Sequence, residues 1–189
     1  MLPKLNIVNV VATAELGEFI ELEKLTTAEG FLYDRTIYHC AYLKDVNTQA
    51  KVLIFASGKM ISVGTKSLKA AKHDLEYASK RLANLRLIKG RSVNAKLENI
   101  VATGNIGHTV DIERLSIKLP DVIYEPEQFP GAIYYAKELE GASILIFANG
   151  KVVFAGLKSL ELLQTARQVL AELDKMLDLL HSLTQGVAR

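Results

Sequence analysis

The most constraining feature of the sequence is that it repeats itself. Residues 9–13 (NVVAT) recur as residues 99–103 (NIVAT), and residues 53–59 (LIFASGK) recur as residues 145–151 (LIFANGK). Offsets of 90 and 92 residues separate the copies, so only two single-residue insertions distinguish two otherwise parallel halves. Self-similarity at a fixed period indicates repeated structural units. We therefore predict a duplication, with repeats over residues 1–90 and 91–189.

Each half has the same predicted order of elements. A strand rich in β-branched residues is followed by a short helical stretch, a second strand, a polar loop and a hairpin whose turn contains glycine. The predicted ranges are 5–14, 18–25, 37–43, 51–55 and 59–63 in the first half, and 95–104, 111–117 and 132–135 before the hairpin around Gly150 in the second.

A long helix closes each half, because apolar residues recur there at spacings of three and four. Ser67 and Ser159 precede these helices as candidate N-caps. The stripes are Leu68, Leu75, Ala78, Leu82 and Leu85 in the first half and Leu163, Ala166, Leu170, Leu173, Leu177 and Leu180 in the second. Strands followed by one helix predict an α+β unit with helices on one face of an antiparallel sheet, and two fused copies predict a continuous sheet.

Composition narrows the class of protein. The 189 residues contain no apolar run of membrane-spanning length and no signal-peptide layout, and the lone Cys40 excludes an internal disulfide framework. These features predict a soluble, cytoplasmic protein. Residues 1–90 hold 13 Lys+Arg against 9 Asp+Glu, whereas residues 91–189 hold 10 against 12. This asymmetry fits a protein whose first half contacts an acidic polymer and whose second half contacts a basic partner. It fits ordinary variation in surface charge equally well.

The hairpins raise a question about their two faces. Alternation along the strands separates Leu53 and Phe55 from Val52 and Ile54, and both sets are apolar. Helices are available to cover only one side. The other side is either an exposed binding surface or the interior of a fully buried sandwich.

At these residues the sequence resembles the TATA-box-binding protein family. The most specific segments are residues 124–134 (YEPEQFPGAIY), residues 145–151 (LIFANGK) and residues 53–60 (LIFASGKM). The resemblance spans residues 5–180, keeps both repeats in order and is closest to the archaeal members. It implies a two-repeat saddle, with a curved antiparallel sheet and helices on its convex face, that binds and bends A·T-rich promoter DNA through the minor groove.

The resemblance also implies roles for particular residues. Tyr38, Phe55, Phe129 and Phe147 correspond to wedges, meaning side chains that insert between base pairs. Asn9 and Asn99 correspond to central donors to base acceptors. The implied groove-floor contacts are Val11, Leu53, Ile61, Val63, Val101, Leu145, Val153 and Ala155, and the implied phosphate contacts and neighbouring polar positions are Lys44, Ser57, Lys59, Lys66, Asn149, Lys151 and Lys158.

Partners follow from the same resemblance. Glu125, Glu127 and Gln128 correspond to residues that engage transcription factor B, through which RNA polymerase is recruited indirectly. The expected partners are therefore double-stranded promoter DNA and transcription factor B, with a homodimer of the free protein as a possibility and no membrane. No cofactor, metal or catalytic residue is expected. The expected location is the nucleoid of an archaeal cell.

Both halves depart from the family pattern, and the first half is the weaker match. Residues 38–40 are Tyr-His-Cys where residues 129–131 are Phe-Pro-Gly. Val63 and Ala155 stand where the family usually has threonine, and Tyr135 replaces an expected arginine, whereas Lys44 keeps the charge. These changes predict altered preference among A·T-rich sites, and they are also typical of a divergent paralogue.

Two other classes of function stay open. One is a protein-interaction module that keeps the fold and has lost DNA bending, and the other is a carrier of small apolar molecules. Catalysis has little support, because His39, His73, His108 and His181 lack metal-ligand spacing in the sequence and Cys40 lacks an evident base.

Overall fold

The computed structural model describes residues 3–90 and 92–185, with side chains through residue 179. Two compact units are present. The first unit is Val8–Asn99, and the second is the chain from Ile100 onward together with the residues before Val8. Among the described residues, no helix has the length and apolar character needed to cross a membrane.

The first unit contains five antiparallel strands and one helix. Strands β1 (Asn6–Glu15), β2 (Phe31–Leu32), β3 (Ala41–Leu43), β4 (Lys51–Ile54) and β5 (Lys59–Thr65) are arranged in the order β2-β3-β4-β5-β1. A 3₁₀ turn covers Leu22–Leu25, and helix α1 spans Leu68–Asn84.

The second unit repeats this arrangement. Strands β6 (Lys96–Asn105), β7 (Val122–Ile123), β8 (Gly131–Tyr134), β9 (Ser143–Phe147) and β10 (Lys151–Leu157) are arranged in the order β6-β10-β9-β8-β7. Helix α2 spans Ile112–Lys118, a 3₁₀ turn covers Lys137–Leu139, and helix α3 spans Leu160–Gln185.

The long helices cover one face of each sheet. Helix α1 packs on β4 and β5, where Val52, Ile54 and Met60 have no exposed surface, and α3 packs on β10. The predicted N-caps are confirmed, since Ser67 Oγ accepts from Ala70 N–H and Ser159 Oγ accepts from Leu162 N–H, each at 3.1 Å. The predicted helical stripes are buried except near their ends.

Three predictions about elements are wrong in detail. Residues 37–40 form a turn and its exit, because Ile37 and Tyr38 N–H both donate to Asp34 O, and β3 begins only at Ala41. In the first repeat the helical stretch is reduced to the 3₁₀ turn at Leu22–Leu25. Leu85 lies beyond the end of α1 and is 41% exposed, so it does not belong to the buried stripe. Leu180 lies outside the described side chains.

Candidate nucleic-acid interface

The face of the first sheet opposite α1 carries a row of apolar side chains. Strand register places Thr13 beside Ile61, Ile61 beside Leu53, Leu53 beside Tyr42 and Tyr42 beside Leu32. The first four are half-buried and Leu32 is 57% exposed. Because side chains alternate along a strand, this row points away from the buried residues under α1. We call it the first row.

The second unit has an equivalent row. Thr103 pairs with Val153, Val153 with Leu145, Leu145 with Ile133 and Ile133 with Ile123. Again the first four are half-buried, and Ile123 is 50% exposed. This second row repeats the first position by position. Both strips are accessible, and the long helix of each unit packs on the opposite face, so the strips are candidate binding surfaces rather than core.

None of the sequence-predicted DNA-binding residues is buried. The half-buried residues are Asn9, Val11, Tyr38, Leu53, Phe55, Ile61, Val63, Asn99, Val101, Phe129, Leu145, Phe147, Val153 and Ala155. The exposed residues are Lys44, Ser57, Lys59, Lys66, Asn149, Lys151 and Lys158. The alternative of a fully buried sandwich is therefore wrong for this face.

Sequence reasoning missed part of both rows. Thr13, Thr103, Tyr42 and Ile133 lie in register with predicted residues and are accessible to the same degree. The available signal was alternation, because Thr13 and Thr103 stand two residues after Val11 and Val101 and must share their face.

Beside the second row, where β9 ends, two phenylalanines pack on each other, and we call this pair the aromatic end of the second unit. The rings of Phe129 and Phe147 have centroids 5.7 Å apart and an interplanar angle of 64°, an edge-to-face pair. Gly131 pairs with Phe147 across the strands. A Cβ at Gly131 would lie 3.0 Å from Phe129 Cε1 and 3.0 Å from Ile146 O, so glycine is what allows this close packing.

The corresponding aromatic end of the first unit is built differently. Tyr38 packs edge-to-face on Tyr42, with ring centroids 5.1 Å apart and planes at 75°. Cys40, at the position of Gly131, is buried, and its side-chain hydrogen bond with Tyr42 holds the pKa of that phenol above its ordinary value. The first-unit aromatic ring is therefore held by a tyrosine pair.

Both wedge candidates leave the same kind of turn. Asp34 O accepts from Ile37 N–H and Tyr38 N–H, and Glu125 O accepts from Gln128 N–H and Phe129 N–H. Each turn thus fixes the backbone directly before the aromatic residue. Glu125, Glu127 and Gln128 themselves are exposed on the second-unit turn, where a protein partner can reach them.

The orientation of Asn9 is fixed by the backbone. Gly64 N–H donates to Asn9 Oδ1 at 2.9 Å, beside a register irregularity between Val10 and Val11. Gly64 has a φ of +107°, a conformation that favours glycine. Because the amide oxygen accepts this hydrogen bond, the amide nitrogen is the group of this side chain that can donate to a ligand.

Exposed lysines lie at the hairpins and before the long helices. Lys59 and Lys151 begin β5 and β10, after turns in which Ser57 Oγ and Asn149 Oδ1 accept the lysine backbone N–H at 3.4 and 3.0 Å. Lys66 and Lys158 directly precede the helix-capping serines. Two equivalent positions in each unit, four lysines in all, therefore carry exposed positive charge.

One acidic residue lies beside the first row. Thr13 Oγ1 donates to Glu98 Oε1 at 2.9 Å, and Lys96 Nζ lies 3.3 Å from the same carboxylate. These hydrogen bonds, with that of Thr13 the larger cause, hold the pKa of Glu98 below its ordinary value.

A model of the family "Transcription factor TFIID (or TATA-binding protein, TBP)" matches residues 4–85 and 94–176, one segment in each half. The chain belongs to the TATA-binding protein family. The resemblance inferred from the repeated motifs is thereby confirmed. The chain is a member of a transcription factor family and not an enzyme.

Relatives and a solved structure agree. The chain is 38% identical over 155 residues to the TATA-box-binding protein of Cenarchaeum symbiosum, covering 81% of this chain and 84% of the relative. It is 35% identical over 180 residues to that of Pyrococcus abyssi, covering 91% of each. It superposes on Methanococcus jannaschii TBP with a TM-score of 0.80 and 30% identity, over 92% of this chain and 99% of that one. The predicted α+β, two-repeat, TATA-binding-protein-like fold is confirmed.

Proposed function

We propose that this protein is a general transcription initiation factor that binds A·T-rich promoter DNA, the TATA box, through the minor groove and bends it. The observation that carries the proposal is the pair of accessible apolar rows at equivalent positions of the two units. Relatives that cover most of the chain are named TATA-box-binding proteins, which supports DNA as the ligand.

The rows match the chemistry of an A·T-rich minor groove. That groove presents only acceptors, whereas a G·C pair adds the guanine amino group. Leu53, Ile61, Leu145 and Val153 offer hydrocarbon, against which a guanine amino group would lose its hydrogen bonds to water without replacement. Asn9, whose amide oxygen accepts from Gly64 N–H, would supply its amide nitrogen as a donor to the acceptors that remain.

Bending would follow from the aromatic residues that lie beside the rows. Phe129, Phe147, Phe55 and Tyr38 are partly exposed, and each would insert between base pairs at the cost of unstacking, a few kcal/mol per step. Contact with the opened groove along the rows offsets that cost. Lys44, Lys59, Lys66, Lys151 and Lys158 would contact phosphates, which makes the affinity fall as salt rises.

Recruitment of the next factor would use the second unit. Glu125, Glu127 and Gln128 are exposed on one turn, and residues 91–189 carry a net negative charge. We assign this turn to transcription factor B, with RNA polymerase recruited indirectly. A nucleoid location inside an archaeal cell and a homodimer of the free protein stay predictions.

The test uses duplexes of one length, labelled at both ends, with A·T-rich or G·C-rich centres. Fluorescence anisotropy gives Kd and energy transfer between the ends gives bending. We expect A·T-rich DNA to bind at least about tenfold more tightly, the scale of one mismatched base pair, and to show increased end-to-end transfer. Equal affinity for both duplexes would refute minor-groove selection.

Asn9→Asp sharpens this test. Aspartate keeps an oxygen for Gly64 N–H but removes the donors and adds charge, so we expect a loss of about tenfold to a hundredfold in affinity, or ~1.4–2.8 kcal/mol. Asn84→Asp is the control, since Asn84 is exposed at the end of α1, away from the rows. An equal loss in both variants would assign the effect to charge alone.

A protein-interaction module is the second candidate, and it is favoured by the first unit, where Tyr38 stands at the position of Phe129 and packs on Tyr42. Saturating binding to the A·T-rich duplex without a change in end-to-end transfer would support it. A small-molecule carrier is the third. A cavity of about 520 Å³, lined in part by Phe31, Tyr38, Tyr42 and Lys51, is where a co-purifying ligand would be found.

A further inference from the structure

A histidine and two aspartates that are far apart in sequence meet in the second unit. His108 Nε2 lies 3.5 Å from Asp174 Oδ1 and 3.4 Å from Asp178 Oδ1, and one ligand atom from each residue lies within 4.8 Å of the other two. His108 follows β6 and both aspartates lie on α3. The sequence prediction of no metal-ligand spacing therefore missed this cluster, because its members come from separate elements.

The loop that carries His108 is anchored on both sides. Ile106 N–H donates to Gly150 O and Val110 N–H donates to Ala148 O, each at 2.9 Å. Gly150 has a φ of +80°, and a Cβ there would collide with the His108 carbonyl oxygen, so the loop rests directly on the hairpin turn. The histidine is held in place by backbone contacts.

The aspartates are held by the helix. Asp174 and Asp178 stand four residues apart, so they lie one above the other on the same face of α3. The neighbouring Leu173 and Leu177 are buried against the unit and fix the rotation of the helix. Both carboxylates therefore point at the same imidazole.

The hydrogen bond that His108 makes through Nδ1 decides which nitrogen of a neutral ring carries the hydrogen. His108 Nδ1 lies 2.9 Å from Thr109 O, and a carbonyl oxygen only accepts, so Nδ1 carries the hydrogen. A neutral ring then has its lone pair on Nε2. That atom has no exposed surface and no hydrogen-bond partner among the described residues, and it faces two groups that also only accept. A cation between them removes this repulsion.

The distances fit a coordinated metal better than direct hydrogen bonds. N–H···O bonds measure about 2.7–3.2 Å, shorter than the observed 3.4 and 3.5 Å. With metal–ligand bonds of about 2.0–2.2 Å, neighbouring ligands of a tetrahedral site lie about 3.4 Å apart. A histidine whose other nitrogen is bonded to a backbone carbonyl is also the usual arrangement for a metal ligand.

We propose that His108, Asp174 and Asp178 form a site for a divalent transition metal of the zinc class, with a fourth position for water. Imidazole nitrogen selects against Mg²⁺ and Ca²⁺, which prefer oxygen ligands only. The bound ion would tie the β6–α2 loop and the hairpin turn to α3 and so stabilise the second unit. This proposal is independent of the proposed DNA binding.

The three proposed metal ligands occur only in the second repeat, since the equivalent residues of the first repeat differ. The positions equivalent to His108, Asp174 and Asp178 are Glu18, Leu82 and Arg86. Glu18 instead accepts the backbone N–H of Lys89 through Oε2 at 3.2 Å. The same loop-to-helix junction is thus joined there by a hydrogen bond between protein groups.

The test titrates Zn²⁺ into the metal-stripped full chain by calorimetry and follows thermal unfolding. We expect one equivalent to bind, and a rise in Tm of about 5–10 °C at a Zn²⁺ concentration a hundred times Kd. His108→Ala and Asp178→Asn should each weaken Zn²⁺ binding about tenfold or more. The Asp178 side chain is 69% exposed, so its variant tests the site without disturbing the core.

His73→Ala is the matched control. His73 is a 60% exposed histidine beside a single aspartate, and its removal should leave Zn²⁺ binding unchanged. Loss of the Tm rise in Asp178→Asn, with wild-type circular dichroism, would support the site. Zn²⁺ binding that is equal in wild type, His108→Ala and Asp178→Asn, or the absence of one saturable equivalent, would overturn it.

Discussion

The aromatic ends of the two units occupy equivalent positions beside the apolar rows and are built differently. In the second unit Phe129 packs on Phe147. In the first unit Tyr38 packs on Tyr42, a residue of the row itself. The two repeats share one arrangement of strands, but the ring of Tyr38 in the first packs on a different neighbour from the ring of Phe129 in the second.

The difference arises two residues after each wedge candidate, at Gly131 in the second unit and at Cys40 in the first. Gly131 leaves room for two rings beside the Ile146 backbone, whereas the equivalent residue of the first unit, Cys40, carries a buried side chain. The Phe-Pro-Gly segment therefore makes a rigid apolar end, and the Tyr-His-Cys segment makes one with a hydroxyl that must keep a polar partner. We expect the two ends to contribute unequally to DNA bending, with the second unit the stronger.

The largest expected effect tests this inequality directly. Phe147→Ala removes one ring and leaves Phe129 without its packing partner, so we expect DNA affinity to fall roughly a hundredfold, or about 3 kcal/mol. Phe55→Ala should cost about tenfold, because the first-unit tyrosine pair does not depend on it. Anisotropy titration gives Kd, and end-to-end energy transfer reports the bend.

Phe19→Ala is the control for both phenylalanine variants. Phe19 is 72% exposed in the loop after β1 and belongs to neither row, so its removal should leave Kd unchanged. Equal losses for Phe147→Ala and Phe55→Ala would show that the two ends act alike and that the comparison of their packing has no functional consequence.

A medium effect is expected from giving the second unit the residue of the first. In Gly131→Cys the new Cβ would lie 3.0 Å from Ile146 O and from Phe129 Cε1. Because backbone cannot yield cheaply, we expect a loss of about 1–3 kcal/mol in the free energy of unfolding, measured by urea denaturation under reducing conditions. Ala148→Cys, at an exposed position, controls for the added thiol. Wild-type stability of Gly131→Cys would mean that the rings separate without cost.

Much of this architecture could be predicted from the sequence, because the strongest signals are local and occur twice. The helix stripes, the capping serines and the alternation of Leu53 and Phe55 each depend on spacing along one segment. The fourteen half-buried candidate site positions could be predicted for the same reason, because the repeated motifs mark equivalent places in both units.

The remainder depends on contacts between segments. The pairing of Tyr38 with Tyr42, the extent of β3 and the bond from Thr13 to Glu98 follow from strand register, which spacing alone does not give. The His108 cluster joins a loop to a helix more than sixty residues later. No periodicity brings such residues together, so only the folded arrangement reveals them.

The smallest expected effect concerns the residue before each repeated asparagine, which is Val8 in the first repeat and Glu98 in the second. Glu98→Gln removes a carboxylate beside the first row, so we expect DNA affinity to rise about two- to fivefold at low salt and less at high salt.

The effect of pH follows from the hydrogen bonds of Glu98. Hydrogen bonds from Thr13 and Lys96 hold the pKa of Glu98 below its ordinary value. The wild-type carboxylate therefore stays charged, and keeps its stabilising contribution to the fold, until the pH falls through that lowered pKa. The affinity ratio of variant to wild type should therefore be constant between about pH 8 and pH 5, as followed by anisotropy. The control is Glu76→Gln on α1, which should leave affinity unchanged. A ratio that already declines between about pH 7 and pH 5, which is above the ordinary range of a carboxyl pKa, would contradict the assignment of the charge effect to Glu98.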